Sequence, residues 1–166
     1  MATDRPRTEP FRLLFVCTGN TCRSPLAEAL AREGVRRLGW SHVEVASAGV
    51  AAASGAPASQ GSSRAAARHG LDLAGHRSSP VTAAALERAD LVLAMSPSHL
   101  GPLAVLGAGE KASLLTDFAA EVDSHDVPGS VPDPFGGADA EYEATYVLLE
   151  RLVERALQRL APMLAP

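Results

Sequence analysis

Apolar positions along this chain fall into two rhythms. Leu13-Leu14-Phe15-Val16 and Leu91-Val92-Leu93-Ala94-Met95 are unbroken apolar runs, which read as strands buried on both faces. His42-Val43-Glu44-Val45-Ala46 alternates and predicts a second strand in chain order, ending at Ser47-Ala48-Gly49, and Ala112-Ser113-Leu114-Leu115 predicts a short fourth. Between the runs the period lengthens to that of a helix. Residues 24–38 read as a helix with Pro25 at its first position, residues 63–69 as one ending at Gly70, and residues 82–88 as one with Thr82 as N-cap. Residues 97–106 form the next, ending at Gly107. The last runs from 139 to about 160, with Tyr146, Leu149, Leu152, Val153, Ala156 and Leu160 along one stripe. Strands alternating with helices predict an α/β fold: a single three-layer domain with a four-stranded parallel sheet, right-handed crossovers and helices on both faces.

The remaining segments divide by composition. Residues 1–10 read as a disordered lead-in and residues 11–162 as the domain. Residues 50–63 are built from Ala, Ser, Gly and Pro, too long to be mere connection within so compact a pattern, so they read as a functional loop, one without an aromatic ring. Residues 117–139 read as a second long loop, with three prolines and three glycines. Trp40 reads as a packing residue.

Candidate chemistry gathers in the loop between the first strand and the first helix. Cys17 and Arg23 are its ends, and Gly19 and Asn20 tolerate the backbone angles that an anion cradle needs. A loop at a strand's carboxyl end and a helix's amino end points its N–H groups at an anion, with the helix dipole adding partial positive charge. The planar fork of Arg23 grips two oxygens of such an anion at once. The same field favours the Cys17 thiolate, a nucleophile at neutral pH, and so predicts phosphoryl transfer through a cysteinyl-phosphate. The spacing C-x5-R is weak by itself; the order of strand, glycine, Asn, Ser-Pro and helix around it gives it weight.

Charge and cysteine count narrow the partners. With 166 residues and a formal charge of −4, the chain has length for one substantial core and no basic footprint for nucleic acid. No apolar run resembles a signal h-region or a membrane span, so the expectation is a cytoplasmic protein with no membrane partner, acting as a monomer. Both cysteines lie in the loop, which rules out a structural disulfide framework. His42, His69, His99 and His125 show no metal-ligand spacing, so no metal is expected, and phosphoryl release to water needs no cofactor.

The loop VCTGNTCRSP resembles the phosphate-binding loop of the low-molecular-weight protein tyrosine phosphatase family at every fixed position of V-C-x-G-N-x-C-R-S-P. The likeness extends over most of the chain, through SAG at 47–49, the His76 segment, ADLVLAM at 89–95 and DPF at 133–135. It implies a phosphate site made by Thr18, Gly19, Asn20, Thr21, Cys22, Arg23 and Ser24. Asp133, set between Pro132 and Pro134, is implied as general acid, protonating the leaving atom and then activating water. Asp117, Asp123 and Asp126 read as solvated loop residues. Ser24 could steady the thiolate or cap the helix; Asn20, Ser47 and His76 match positions that brace the loop. Cys22 could trap an oxidised Cys17 as a disulfide or simply pack beneath the loop.

Two departures move the resemblance toward the family's bacterial protein arginine phosphatase branch. Thr21 stands where tyrosine-directed members carry Ile or Leu, and the acid motif continues as DPFGG where animal members carry tandem Tyr; ADLVLAM and the spacing of Tyr142 to Thr145 agree. In that branch the loop Thr disfavours a phenol and suits a phosphoguanidinium, the anionic Asp133 attracts that cation, and Phe135 is an apolar wall. The expected substrates are phosphorylated proteins, phosphoarginine before phosphotyrosine. Arsenate reduction with a small thiol and a silent phosphate-binding module are the remaining readings.

Overall fold

Strand β1 (Phe11–Cys17) runs through the middle of the molecule. Leu13, Phe15 and Cys17 face one apolar core and Leu14 and Val16 the other, the period of two expected of a strand covered on both sides. This computed structural model describes residues 9–122 and 127–165. Most of the expected lead-in, and Asp123, His125 and Asp126, lie outside the described residues.

Strands β2 (Val43–Gly49), β3 (Leu91–Ala94) and β4 (Ala112–Leu114) complete a parallel sheet of order β2-β1-β3-β4. The chain leaves β1 for β2 on one side and returns to β3 on the other. The carboxyl ends of β1 and β3 therefore border the crevice where open α/β sheets bind ligands. Helices α1 (Arg23–Arg37), α2 (Gln60–Arg68), α5 (Leu115–Ala120) and α6 (Asp139–Leu164) bury one face of the sheet; α3 (Ala83–Arg88) and α4 (Leu100–Val105) bury the other. Three layers and four parallel strands are what the alternating pattern predicts. No helix among the described residues is long and apolar enough to cross a membrane.

Several boundaries differ from expectation, each for a local reason. Residues 115–120 form α5 where the sequence reads as strand end and loop: Leu115, Phe118 and Ala119 are buried at helical spacing, but one turn is too short to announce a period. Asp117 is exposed on that helix. Helix α2 starts at Gln60 rather than at 63, because the Ser59 side chain accepts the Ser62 N–H and caps it. A 3-10 turn, Pro97–His99, precedes α4. Helix α6 runs on to Leu164 despite Pro162, whose lost hydrogen bond falls in the last turns, while Leu160 and Leu164 stay buried against the sheet-side core. In α1, Pro25 is the third residue, still within the turn whose N–H groups have no intrahelical acceptor.

Candidate active site

The loop of residues 17–23 turns at Asn20, which adopts φ 56, a left-handed angle that Asn tolerates better than most residues. Asn20 is fully buried and uses its whole amide. Nδ2 donates to Ser24 Oγ (2.8 Å) and Ser47 Oγ (2.9 Å), and Oδ1 accepts the Ser79 N–H (2.9 Å). Its carbonyl accepts His76 Nε2–H at 2.7 Å, and the Ser47 hydroxyl donates to Glu28 Oε1 at 2.7 Å. Gly49 lets the loop sit this low: a Cβ there would lie 2.5 Å from the Thr18 carbonyl oxygen and 2.9 Å from the Asn20 nitrogen. Val50 and Ala51 then donate their N–H groups to Cys17 O and Thr18 O.

Cys17 lies buried at the end of β1, with Ser24 Oγ 2.8 Å and the Asn20 N–H 3.3 Å from its sulfur. Because Ser24 Oγ already accepts from Asn20, its own proton is free to point at sulfur. Two donors aimed at one sulfur would stabilise negative charge that develops there when sulfur departs. Ser24 is thus not the helix N-cap; the residue preceding α1 is Cys22, which makes no side-chain cap.

Arg23 has only 5 % of its side chain exposed and is held at its tip: Nη1 donates to Ser96 Oγ (2.9 Å) and Val131 O (3.0 Å), Nη2 to Thr18 Oγ1 (3.4 Å). Asp133 Oδ2 lies 3.8 Å from Nη2, half exposed, while its Oδ1 accepts the Phe135 N–H at 3.1 Å. Asp133 therefore faces the guanidinium across a cleft of about 220 Å³. Cys17, Thr18, Gly19, Thr21, Cys22 and Arg23 line one side of it, Asp133 and Phe135 the other. Two larger depressions lie elsewhere, one between α1 and α6 and one behind the loop against Glu28, Ser47 and His76; neither reaches Cys17 or Arg23.

Cys22 is a buried free thiol, as is Cys17. Its S–H donates to Ser59 Oγ at 3.3 Å and lies 3.9 Å from the Tyr142 hydroxyl, whose pKa is pushed up by burial first and by the neighbouring thiol second. Cys22 thus both packs beneath the loop and borders the cleft.

All twelve residues marked from the sequence are assembled here: eight border the cleft, and Asn20, Ser24, Ser47 and His76 lie in the hydrogen-bonded bed behind it. His99 was missed. It is 1 % exposed, with Nδ1 3.1 Å from the Ser96 N–H and Nε2 2.9 Å from Thr18 Oγ1. Burial, and then the Arg23 charge, lower its pKa to about 4, so it is neutral at pH 7. The signal available was Ser96-Pro97-Ser98-His99 after a buried strand, the pattern of a capped turn. Ser59, Ser96 and Val131 carry no comparable signal. Among the described residues no three His, Cys, Asp or Glu side chains gather as a metal ion needs.

Comparisons with known proteins agree with this geometry. The sequence profile of the low molecular weight phosphotyrosine protein phosphatases matches residues 12–164. A protein-arginine-phosphatase of Geobacillus stearothermophilus is 40% identical over 91% of this chain and 97% of its own length. The low molecular weight protein-tyrosine-phosphatase Etp of Escherichia coli K12 is 33% identical over 90% of this chain and 94% of its own. Among solved structures, a mutant of the arginine phosphatase YwlE with a phosphorylated active-site serine superposes with a TM-score of 0.83 at 37% identity, covering 92% of this chain and 97% of that one. With a parallel sheet, a Cys-to-Arg loop at its crevice and a family match spanning almost the whole sequence, this chain belongs to the low molecular weight phosphotyrosine protein phosphatase family.

Proposed function

We propose that this chain is a cysteine-dependent protein phosphatase whose preferred substrate is phosphoarginine in proteins. The Cys17 thiolate attacks phosphorus while Arg23 and the N–H groups of the loop hold the phosphoryl oxygens. Asp133 delivers its proton to the guanidino nitrogen as the P–N bond breaks, so that arginine leaves as its guanidinium cation. The resulting carboxylate takes a proton from water, which attacks the phosphocysteine. Inorganic phosphate departs, and sulfur leaves as a thiolate steadied by Ser24 and Asn20. The catalytic unit is residues 11–162, acting as a cytoplasmic monomer.

The observation that carries the reading is one small cleft shared by Cys17, Arg23 and Asp133, with Thr21 in its wall. Phosphoarginine is favoured by Thr21, whose short branched side chain leaves little apolar surface for a phenol, and by the Geobacillus relative's activity. Phosphotyrosine is the second reading, supported by Phe135, which is 76% exposed at the rim and could stack on an aryl ring. Cys22 serves as the resolving thiol: once a peroxide has oxidised Cys17 to the sulfenic acid, the Cys22 sulfur attacks that sulfur and expels water, giving a disulfide that an external thiol can reduce.

The test is kcat/KM of the reduced protein on a phosphoarginine-bearing protein and on matched phosphotyrosine peptides, with Thr21→Ile alongside. A wild-type preference for phosphoarginine that Thr21→Ile reverses is expected. A wild-type preference for phosphotyrosine would overturn the substrate assignment, and no hydrolysis of either would overturn the phosphatase reading.

A further inference from the structure

His99 takes no part in the reaction just described, yet it is buried against the loop that performs it. The 3-10 turn after β3 puts it there: the Ser96 N–H donates to Nδ1, so in the neutral ring the proton sits on Nε2. Among the described residues that N–H meets Thr18 Oγ1, at 2.9 Å. The same oxygen also receives Arg23 Nη2–H at 3.4 Å. A hydroxyl accepts two hydrogen bonds and donates one.

We propose that His99 is a positioning residue that turns Thr18 into an anion donor: with both lone pairs of Oγ1 occupied, the Thr18 O–H proton is left to point into the cleft and bind a phosphoryl oxygen. Thr18 is exposed and lines the cleft, and its main chain is pinned by the Ala51 N–H on its carbonyl, so the side chain can swing only about its own bond. Ser96 completes the device. Its N–H orients His99 while its Oγ accepts Arg23 Nη1, so a single turn fixes both the guanidinium and the hydroxyl that meet the anion. The inference rests on the phosphatase reading for the identity of that anion.

The experiment is calorimetric titration of inorganic phosphate into the reduced wild type, Thr18→Val, His99→Asn and the double variant, with kcat and KM measured in parallel. Val keeps the shape of Thr and lacks the hydroxyl. Asn keeps an acceptor for the Ser96 N–H but is too short to reach Thr18, so it separates the turn from the contact. Each single variant is expected to bind phosphate about 10- to 100-fold more weakly, the range for one lost hydrogen bond to a charged group. The double variant is expected to be no weaker than either single variant by more than about threefold, because both changes remove one interaction. Wild-type affinity in Thr18→Val, additive losses in the double variant, or a wild type that does not bind phosphate would overturn the proposal. A wild type that binds phosphate but hydrolyses neither substrate would instead remove the reaction scheme and leave the Thr18 result to be read by affinity alone.

Discussion

The loop at residues 17–24 and the segment at residues 127–137 face each other across one cleft, but they are built in opposite ways. On the Cys17 side the polar groups are bonded to one another: Asn20 and Ser24, fully buried, and Ser47, His76 and Glu28, partly buried, form one connected network under the sulfur. On the Asp133 side the chain is tied at Val131, whose N–H meets Met95 O and whose carbonyl meets Arg23, and at Gly129, whose carbonyl accepts from Thr116 Oγ1. Beyond Val131, Asp133 is half exposed and Phe135 lies open to solvent. The difference matches the two tasks. A thiolate and an anion must meet at fixed geometry, which preorganised donors supply; a proton donor must approach leaving groups of different shape and then let product out.

That contrast can be broken in order of size. Cys17→Ser is expected to lower kcat by about 10⁴-fold or more, with phosphate affinity largely kept, because the cradle survives the loss of its nucleophile. Single-turnover kinetics would check this, and retained turnover would exclude the phosphocysteine route. Asp133→Ala should cost about 10²- to 10⁴-fold, most for poor leaving groups and least for an activated aryl phosphate that needs no proton. A loss equal for all leaving groups would mean that Asp133 serves the loop rather than the leaving atom.

Gly49→Ala tests the rigid side alone. Its Cβ would press on Thr18 O and the Asn20 nitrogen, both main-chain atoms, so the loop itself must shift. A stability loss of about 1–3 kcal/mol and a fall in kcat/KM of roughly tenfold are expected. Thermal unfolding and kinetics read the two effects separately.

The mildest test uses pH. The folded protein holds His99 near pKa 4 instead of its ordinary 6.5, so between those values the unfolded chain binds a proton that the folded one does not. The stability due to neutral His99 is therefore complete above about pH 6.5 and lost as pH falls toward 4, by at most roughly 3 kcal/mol. Denaturant unfolding across that window should show the decline, and His99→Asn should flatten it. An unchanged slope in the variant would place the acid sensitivity elsewhere.

How much of this was legible beforehand depends on where the deciding contacts lie. The cradle could be read because its parts are consecutive: Cys17, Gly19, Asn20, Arg23 and Ser24 share one loop, and the strand before it and helix after it carry their own periodicities. Asp133 came from resemblance alone, since an Asp flanked by prolines reads first as a turn residue. Helix α5 was hidden because its buried face is only one turn long.

By itself, then, the sequence determined the layered α/β architecture, the anion loop at the end of the first strand, and the nucleophile within it. These depend on local order, which hydrophobic period and turn chemistry record directly. Only the tertiary structure decided that His99 meets Thr18 across 81 positions, that Arg23 is tied to Val131 across 108, and that Cys22 lies beneath Tyr142 across 120. Those pairings follow from parallel strands bringing distant segments to one sheet edge, where a single polar side chain has no periodicity to announce its partner.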